Sequence, residues 1–276
     1  MMEVLMKQFF SFILCLFALK AFNLEAGTMK IALVFSDDNF SPLQKSVFHQ
    51  AASRWERVIQ GSDKLNFDYH VDISASCKHI DTTGGVLGYA GPTHLWSESN
   101  LPMKGIMCFD RHDLDEMERN GTLNNVITHE MAHVLGFGTT WQHLVLNLGT
   151  HNPLFNGENA KKVYGRLRNA PRPLAVPVAN TGGSGTYGGH WREAIFGDEL
   201  MTGFLNSSTD RISSLTLAAF EDLGYQVRYD NAEAYWLPTP ERLLQLSQEP
   251  SAYQFKEVMM PVKFEDMERV AENLVE

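Results

Sequence analysis

The sequence predicts an α+β protein that forms one large domain or two lobes, and three observations support this prediction. The chain has 276 residues, of which 44% are hydrophobic, and can therefore bury a sizeable core. Four short apolar runs before residue 111 have the pattern of β-strands, with amphipathic helices between and after them. From residue 139 to residue 180 the periodicity is weak and Pro, Asn and Gly are frequent, which predicts an irregular segment.

The first elements are predicted to be a strand followed by a long helix. Residues 30–35 form a β-branched and aromatic run that is typical of a buried strand. Ser41 has the character of a helix N-cap and Pro42 suits the first helical position, and apolar residues then recur every four positions towards Gly61. Three more strands are predicted at residues 68–73, 86–90 and 105–110.

Residues 124–138 contain the strongest chemical signal, the sequence His-Glu-x-x-His. In a helix His129 and His133 lie on the same face, four residues apart, which is the spacing that two imidazoles need to bind one metal ion. Glu130 then lies beside the metal, where it can deprotonate a water molecule. Apolar residues cover the rest of this helix, and Gly136 is expected just beyond its end.

Two weaker helices are predicted after the irregular segment. Residues 215–223 have serines before them and Gly224 after them, as expected for a short capped helix. Near the C-terminus, apolar residues between Phe264 and Leu274 have weak helical periodicity.

The N-terminal residues predict export. An apolar run at residues 9–19 follows Lys7 and has the length of the hydrophobic region of a signal peptide, with cleavage expected after Ala26. The alternative is an uncleaved membrane anchor, which is the one route to a membrane that the sequence offers. The predicted location is secreted or extracellular, with the periplasm and the cell surface as further options. A net charge of -10 argues against nucleic acid as a partner.

Cysteine usage is consistent with export. Removal of the signal peptide would take Cys15 away and leave Cys77 and Cys108. Two cysteines in an exported protein predict one disulfide bond, and the alternative is two buried free thiols.

Several motifs together resemble the leishmanolysin family of metzincin zinc peptidases. The resemblance covers roughly residues 28–236 and does not depend on the metal helix alone. The segments that carry it are residues 74–77, 84–93, 129–139, 190–191, 199–203 and 214–225.

The resemblance implies a two-lobed zincin-like fold, with a mixed sheet and helices above a cleft and an irregular helical lobe below it. The corresponding domains are a signal peptide at residues 1–26, a metallopeptidase domain at 27–236 and a C-terminal tail at 237–276. Within the peptidase domain the upper lobe would be residues 27–138 and the lower lobe residues 139–236.

The resemblance also implies functional residues around one Zn²⁺ ion. The zinc ligands would be His129, His133 and His190, with Glu130 as the general base and Met201 beneath the metal. An edge strand would pair with an extended substrate. The residues of that strand are Val86, Leu87, Gly88, Tyr89 and Ala90.

The third ligand can be considered from the residues as well. Thr139 stands where many metzincins have their third histidine, so this ligand must come from later in the chain. The candidates after the metal helix are His143, His151 and His190. A glycine-rich loop before His190 can bring the chain close to the metal, which favours the residue that the resemblance also selects.

The predicted function is therefore a secreted, monomeric zinc endopeptidase that hydrolyses peptide bonds of protein or peptide substrates through a zinc-bound water. One alternative is a cell-surface binding or adhesion protein on a zincin scaffold, although the intact Glu130 argues against lost activity. The other is a gluzincin-type peptidase, in which a carboxylate such as Glu193 or Glu199 would be the third ligand.

Overall fold

The computed structural model describes residues 28–65, 68–80, 87–205 and 210–248, together with the backbone of residues 253–254 and 263–265. The predicted signal peptide lies outside the described residues. The described part is α+β and contains seven α-helices. They are α1 (Pro42–Val58), α2 (Arg111–Asn120), α3 (Leu123–Val134), α4 (Glu158–Leu167), α5 (Glu193–Phe196), α6 (Ser214–Leu223) and α7 (Pro240–Gln248).

The described strands form one mixed sheet and three small sheets. In chain order they are β1 (Lys30–Phe35), β2 (Ile59–Gly61), β3 (His70–Lys78), β4 (Gly88–Trp96), β5 (Pro102–Asp110), β6 (Val145–Leu146), β7 (Leu154–Phe155), β8 (Val176–Pro177), β9 (Phe204–Leu205), β10 (Gln226–Val227), β11 (Tyr253–Gln254) and β12 (Lys263–Glu265). The mixed sheet has the order β1-β3-β5-β4-β12, and the small sheets are β2 with β10, β9 with β11, and β6-β7-β8.

The local signals at the N-terminal side of the sheet are confirmed in position, but the prediction that β1 is a buried strand is wrong, because β1 lies at the edge of the sheet and Ile31 is its one buried residue. Strand β1 has the predicted bounds, and α1 starts with a capping box in which Ser41 and Gln44 bond each other's backbone N–H groups. Strand β5 begins three residues before its predicted start, because the apolar pattern extends back to Pro102. Strand β3 begins two residues after its predicted start and extends beyond its predicted end to Lys78; it pairs with β1 as far as Ala75 and with β5 as far as Lys78.

The predicted substrate strand differs from β4 in its bounds and in its position. Strand β4 runs from Gly88 to Trp96, so its start lies two residues after the predicted start, and Val86 lies outside the described residues. It pairs antiparallel with β5, whereas β12 pairs with it in parallel at residues 94–96. Among the described strands, β4 has β5 alone as its partner along residues 88–92.

The predicted disulfide bond is wrong, because Cys77 and Cys108 are both free and buried. They lie on the neighbouring parallel strands β3 and β5, where Cys108 is the partner of Ser76 and Cys77 is the partner of Phe109. Partnered residues direct their side chains to the same face of a sheet, and successive residues alternate between faces. The two thiols therefore lie on opposite faces and cannot bond without a change of register.

Helix α3 packs directly on the mixed sheet, and a glycine allows the close approach. A Cβ atom at Gly105 on β5 would lie 2.3 Å from Cγ1 of Val134. On its other side, α3 is tied to α1, where the Trp55 indole donates a hydrogen bond to the Thr128 carbonyl over 2.9 Å. Nearly every residue of α3 is buried, so the polar residues of this helix face the interior.

Four helices, α2, α4, α5 and α7, were not predicted from the sequence. Helix α2 is strongly charged, but Asp110 caps its start by accepting from the His112 N–H, and Gly121 ends it with φ +78°. Helix α4 lies within the segment that was predicted to be irregular. Its N-terminal N–H groups at residues 159 and 160 donate to Asp222, a cap from a distant part of the chain that leaves no local signal.

The weak helix predicted near the C-terminus lies only partly within the described residues. Phe264 was predicted to lie on a helix but belongs to β12, which pairs with β4, and the rest of that predicted helix lies outside the described residues. In the part of the chain that the structure describes, no helix combines the length and hydropathy that a membrane span requires.

Candidate metal centre

The structure brings three histidines from two distant parts of the chain together. His129 and His133 lie on adjacent turns of α3, and His190 comes from the loop before α5. The distance from His129 Nε2 to His133 Nε2 is 2.9 Å, and the distance from His129 Nε2 to His190 Nε2 is 3.0 Å. All three imidazoles are fully buried.

Each imidazole is oriented through its other nitrogen by a backbone carbonyl. The Nδ1 of His129 lies 2.7 Å from the Leu200 oxygen. The Nδ1 of His133 lies 2.7 Å from the Phe137 oxygen, and that of His190 lies 3.1 Å from the Thr186 oxygen. A carbonyl oxygen can only accept, so Nδ1 carries the hydrogen in each ring.

The tautomers determine what the cluster can bind. With a hydrogen on Nδ1, each neutral imidazole presents an Nε2 lone pair, and the three lone pairs converge on one point. Such a set is repulsive by itself and is well suited to a divalent cation, for which neutral imidazole is a common ligand. The cluster is the group of His, Cys, Asp and Glu residues in the described chain whose spacing suits a metal ion.

The other predicted ligands are not part of this cluster. His143 and His151 are exposed and lie outside it. Glu193 and Glu199 do not belong to it either, and the carboxylate of Glu199 accepts hydrogen bonds from Ser213, Thr216 and Met201. The structure therefore does not support a carboxylate as the third ligand.

Glu130 follows His129 on α3 and is also buried, with 2% of its surface exposed. It is not a member of the histidine cluster. The helix that carries it is held by Arg54 on α1. One Arg54 nitrogen donates to Asn124, Asn125 and Thr128, so the first turn of α3 is fixed against α1.

The loop that carries His190 is held at both ends. Before it, the Trp141 indole donates to the Gly188 carbonyl over 2.9 Å. Gly138, with φ +73°, lies so close to this loop that a Cβ atom there would be 2.1 Å from the Gly189 oxygen. After it, the Trp191 N–H donates to the Met201 carbonyl over 2.9 Å. Backbone contacts thus position the third histidine.

Trp191 anchors the segment after His190 in an aromatic core. The ring centroids of Phe137 and Trp141 each lie 5.1 Å from that of Trp191. Phe155 and Phe196 complete the surroundings, at centroid distances of 5.7 and 5.9 Å. Phe137 also supplies the carbonyl that orients His133, so this core links two of the three histidines.

Met201 is fully buried in a turn that touches the cluster through its neighbour. Its preceding residue, Leu200, provides the carbonyl that faces His129. Two residues before Met201, Glu199 is completely buried, and burial raises its pKa from 4.5 to about 7 despite four hydrogen bonds that favour the ionised form. The sequence singled out Glu199 as a rival ligand and did not indicate this supporting position.

A cavity of about 440 Å³ is lined by residues that come before and after the third histidine in the chain. Its lining includes Thr186, whose carbonyl faces His190, and Gly203, which follows the turn of Met201. Phe204 lines the cavity as well, with Leu243 and Leu246 of α7. Arg192 and Glu193 also line the cavity, and the three histidines are not among its lining residues.

Comparisons with known proteins match the segment that contains the three histidines to one family. The family model described as leishmanolysin matches residues 70–240. A leishmanolysin homolog from Crithidia fasciculata is 32% identical over 168 residues, which are 56% of this chain and 24% of that protein. Leishmanolysin from Leishmania donovani is 26% identical over 168 residues, and that from Leishmania major 27% over 164 residues; each match covers 56% of this chain and 27% of the relative. The chain thus spans about a quarter of the length of these curated relatives.

Proposed function

Because the chain belongs to the leishmanolysin family, whose model matches more than half of its residues, we propose that it is a zinc-dependent endopeptidase. At the level of the family, the relatives are zinc metallopeptidases. The observation that carries the proposal to this chain is the convergence of three imidazole Nε2 atoms, each with its Nδ1 directed to a backbone carbonyl. Three neutral imidazoles with one open position are the ligand set of many catalytic zinc sites.

In this proposal His129, His133 and His190 hold Zn²⁺, and Glu130 acts on the attacking water. Zinc bound there supplies a Lewis acid that polarises the peptide carbonyl and activates water. Glu130 accepts the proton that water loses as its oxygen bonds to the carbonyl carbon. It then passes that proton to the departing nitrogen as the C–N bond breaks, so that a free amine leaves. Met201 packs beneath the ligands and takes no chemical part.

The substrate would bind in an extended conformation along β4. Residues 88–92 of this strand have one partner strand in the described structure, which leaves their other edge for backbone hydrogen bonds to a peptide. The cavity lined by Thr186, Gly203 and Phe204 would accept one side chain of that peptide. Both features support a protein or peptide as the substrate.

The predicted domain arrangement and location remain part of the proposal. Residues 27–138 would form the upper lobe, with the sheet and α3, and residues 139–236 the lower lobe, with His190 and Met201. Export is supported by the apolar run at residues 9–19, and we expect the exported protein to act as a monomer.

The decisive experiment is the substitution Glu130→Gln in the full chain. We expect the variant to bind about one zinc per chain, as the wild type does, because the three imidazoles are untouched. Hydrolysis of casein should fall by about 10²- to 10⁴-fold, because the amide cannot take a proton from water. Metal analysis and the initial rate of peptide release measure the two properties separately.

The matched control is Glu158→Gln, which removes an exposed carboxylate paired with Lys161 and should change neither property. Substantial hydrolysis by Glu130→Gln would contradict the assigned role of Glu130. A wild-type protein that binds no zinc would contradict the whole proposal.

A further inference from the structure

Glu199 is a fully buried carboxylate that the proposed reaction does not use. One of its oxygens, Oε1, accepts from the hydroxyls of Ser213 and Thr216 over 2.6 and 2.5 Å. The other, Oε2, accepts from the Met201 N–H over 2.6 Å. The Ser213 N–H is a fourth donor, at 3.3 Å from Oε1. All four donors are neutral groups, so these contacts with the carboxylate are hydrogen bonds and not ion pairs.

The bond to Met201 acts on a peptide group that also touches a proposed ligand. The Met201 N–H and the Leu200 carbonyl belong to one planar peptide group, and the described chain contains no cis peptide bond. In a trans peptide the N–H and the C=O point in opposite directions. Glu199 therefore holds one side of this group while the Leu200 oxygen, on the other side, lies 2.7 Å from His129 Nδ1.

A second path leads from Glu199 to the neighbour of His190. The Thr216 hydroxyl, which donates to Glu199, accepts from the Trp191 indole N–H over 2.9 Å. The backbone N–H of Trp191 donates to the Met201 carbonyl, which adds a connection between the same two segments. Glu199 thus lies where the turn of Met201, the start of α6 and the residue after His190 meet.

We propose that Glu199 is a positioning residue for the metal centre. Its carboxylate fixes the Leu200–Met201 peptide group so that the Leu200 carbonyl orients His129, and through Thr216 it steadies the segment that carries His190. The inference rests on the proposed function, because it concerns the affinity for zinc. A carboxylate that only capped α6 would stabilise the fold and leave that affinity unchanged.

The test measures the zinc dissociation constant of the folded full chain by competition with a chromogenic chelator, and the visible spectrum of the Co²⁺-substituted protein. For Glu199→Leu, which has similar size and no acceptor, we expect zinc binding about 10- to 100-fold weaker and an altered cobalt spectrum. Glu199→Gln should restore affinity to within about threefold, since its carbonyl oxygen can accept from the Met201 N–H and so keep the bond that fixes the Leu200–Met201 peptide group.

The control for lost stability is Asp222→Ala, which removes the cap of α4 at residues 159 and 160. In the part of the chain that the structure describes, the hydrogen bonds of Asp222 go to α4 and not to the segments around the histidines, so the variant should be less stable and bind zinc normally. If Glu199→Leu does not fold, Thr216→Val removes the second path with little change of shape, and should weaken zinc binding and change the cobalt spectrum.

Unchanged zinc affinity and cobalt spectrum in the folded Glu199→Leu protein, or in Thr216→Val where the first does not fold, would overturn the inference. An equal loss of affinity in Asp222→Ala would also overturn it, because stability alone would then explain the effect. Both results leave the proposed function intact, provided that the wild type binds zinc.

Discussion

Replacing Glu199 by Gln should show how much the buried carboxylate lowers the free energy of unfolding as the pH rises. Burial raises the pKa of Glu199 from 4.5 to about 7, so the folded chain holds this proton more tightly than the unfolded chain does. The wild type is then stabilised by the protonated carboxyl below pH 4.5 and loses that contribution as the pH rises towards 7. Over this pH range the contribution of Glu199 to the free energy of unfolding falls by about 3 kcal/mol.

The amide introduced by Glu199→Gln does not titrate, so the variant does not lose this free energy of unfolding as the pH rises. The amide adds its own difference in stability, but that difference is independent of pH. Relative to the wild type, the free energy of unfolding of the variant should therefore rise by about 3 kcal/mol between pH 4.5 and pH 7.5, with most of the rise before pH 7.

Guanidinium unfolding followed by tryptophan fluorescence, in the presence of a metal chelator, measures this quantity at each pH. The control is Glu158→Gln, where a neighbouring Lys161 lowers the pKa of an exposed carboxyl, so no comparable rise is expected. A difference between wild type and Glu199→Gln that stays constant over this range would refute the reasoning.

Two further predictions concern the metal centre. His190→Ala should lose zinc affinity and peptide hydrolysis together, whereas His151→Ala, at an exposed position outside the cluster, should keep both in metal titration and casein assays. Gly138→Ala should lower stability by about 1–3 kcal/mol in thermal unfolding and weaken zinc binding, because its Cβ would lie 2.1 Å from the Gly189 oxygen. Gly183→Ala has the same φ of +73° and nothing within 4 Å of its Cβ, so it should show backbone strain alone and normal zinc binding.

The sequence predicted the parts of the centre that depend on local spacing. His129 and His133 are four residues apart, and a helix brings them together whatever surrounds it. The sequence also predicted the end of that helix at Gly136, which has φ +105° just beyond α3. The family resemblance and the glycine-rich loop before it both selected His190 as the third histidine, and the structure places it with the other two. Its assignment as a zinc ligand stays a prediction.

The features that the sequence did not reveal depend on contacts between distant residues. The disulfide prediction failed because the faces of Cys77 and Cys108 are set by the register of β3 with β5, which composition does not encode. The start of α4 depends on Asp222, more than sixty residues later. Glu199 drew attention as a carboxylate near the site, yet its partners Ser213 and Thr216 come from the next helix, so its position could be seen only in the fold.

The orienting acceptors of all three histidines are backbone oxygens, and this determines which substitutions can disturb the centre without touching a ligand. A side-chain replacement at Leu200, Phe137 or Thr186 leaves the carbonyl in place. The vulnerable positions are therefore those that hold the backbone itself, because a rotated peptide group withdraws the acceptor and frees the imidazole to turn.

Gly138 and Glu199 are such positions, and they act in different ways. Gly138 leaves room for the loop before His190, whereas Glu199 holds the peptide group that faces His129. Combining Gly138→Ala with Glu199→Leu should therefore weaken zinc binding by about the product of the two single effects, as expected for separate contacts. A double variant no weaker than the worse single variant would mean that both changes disturb one shared rearrangement.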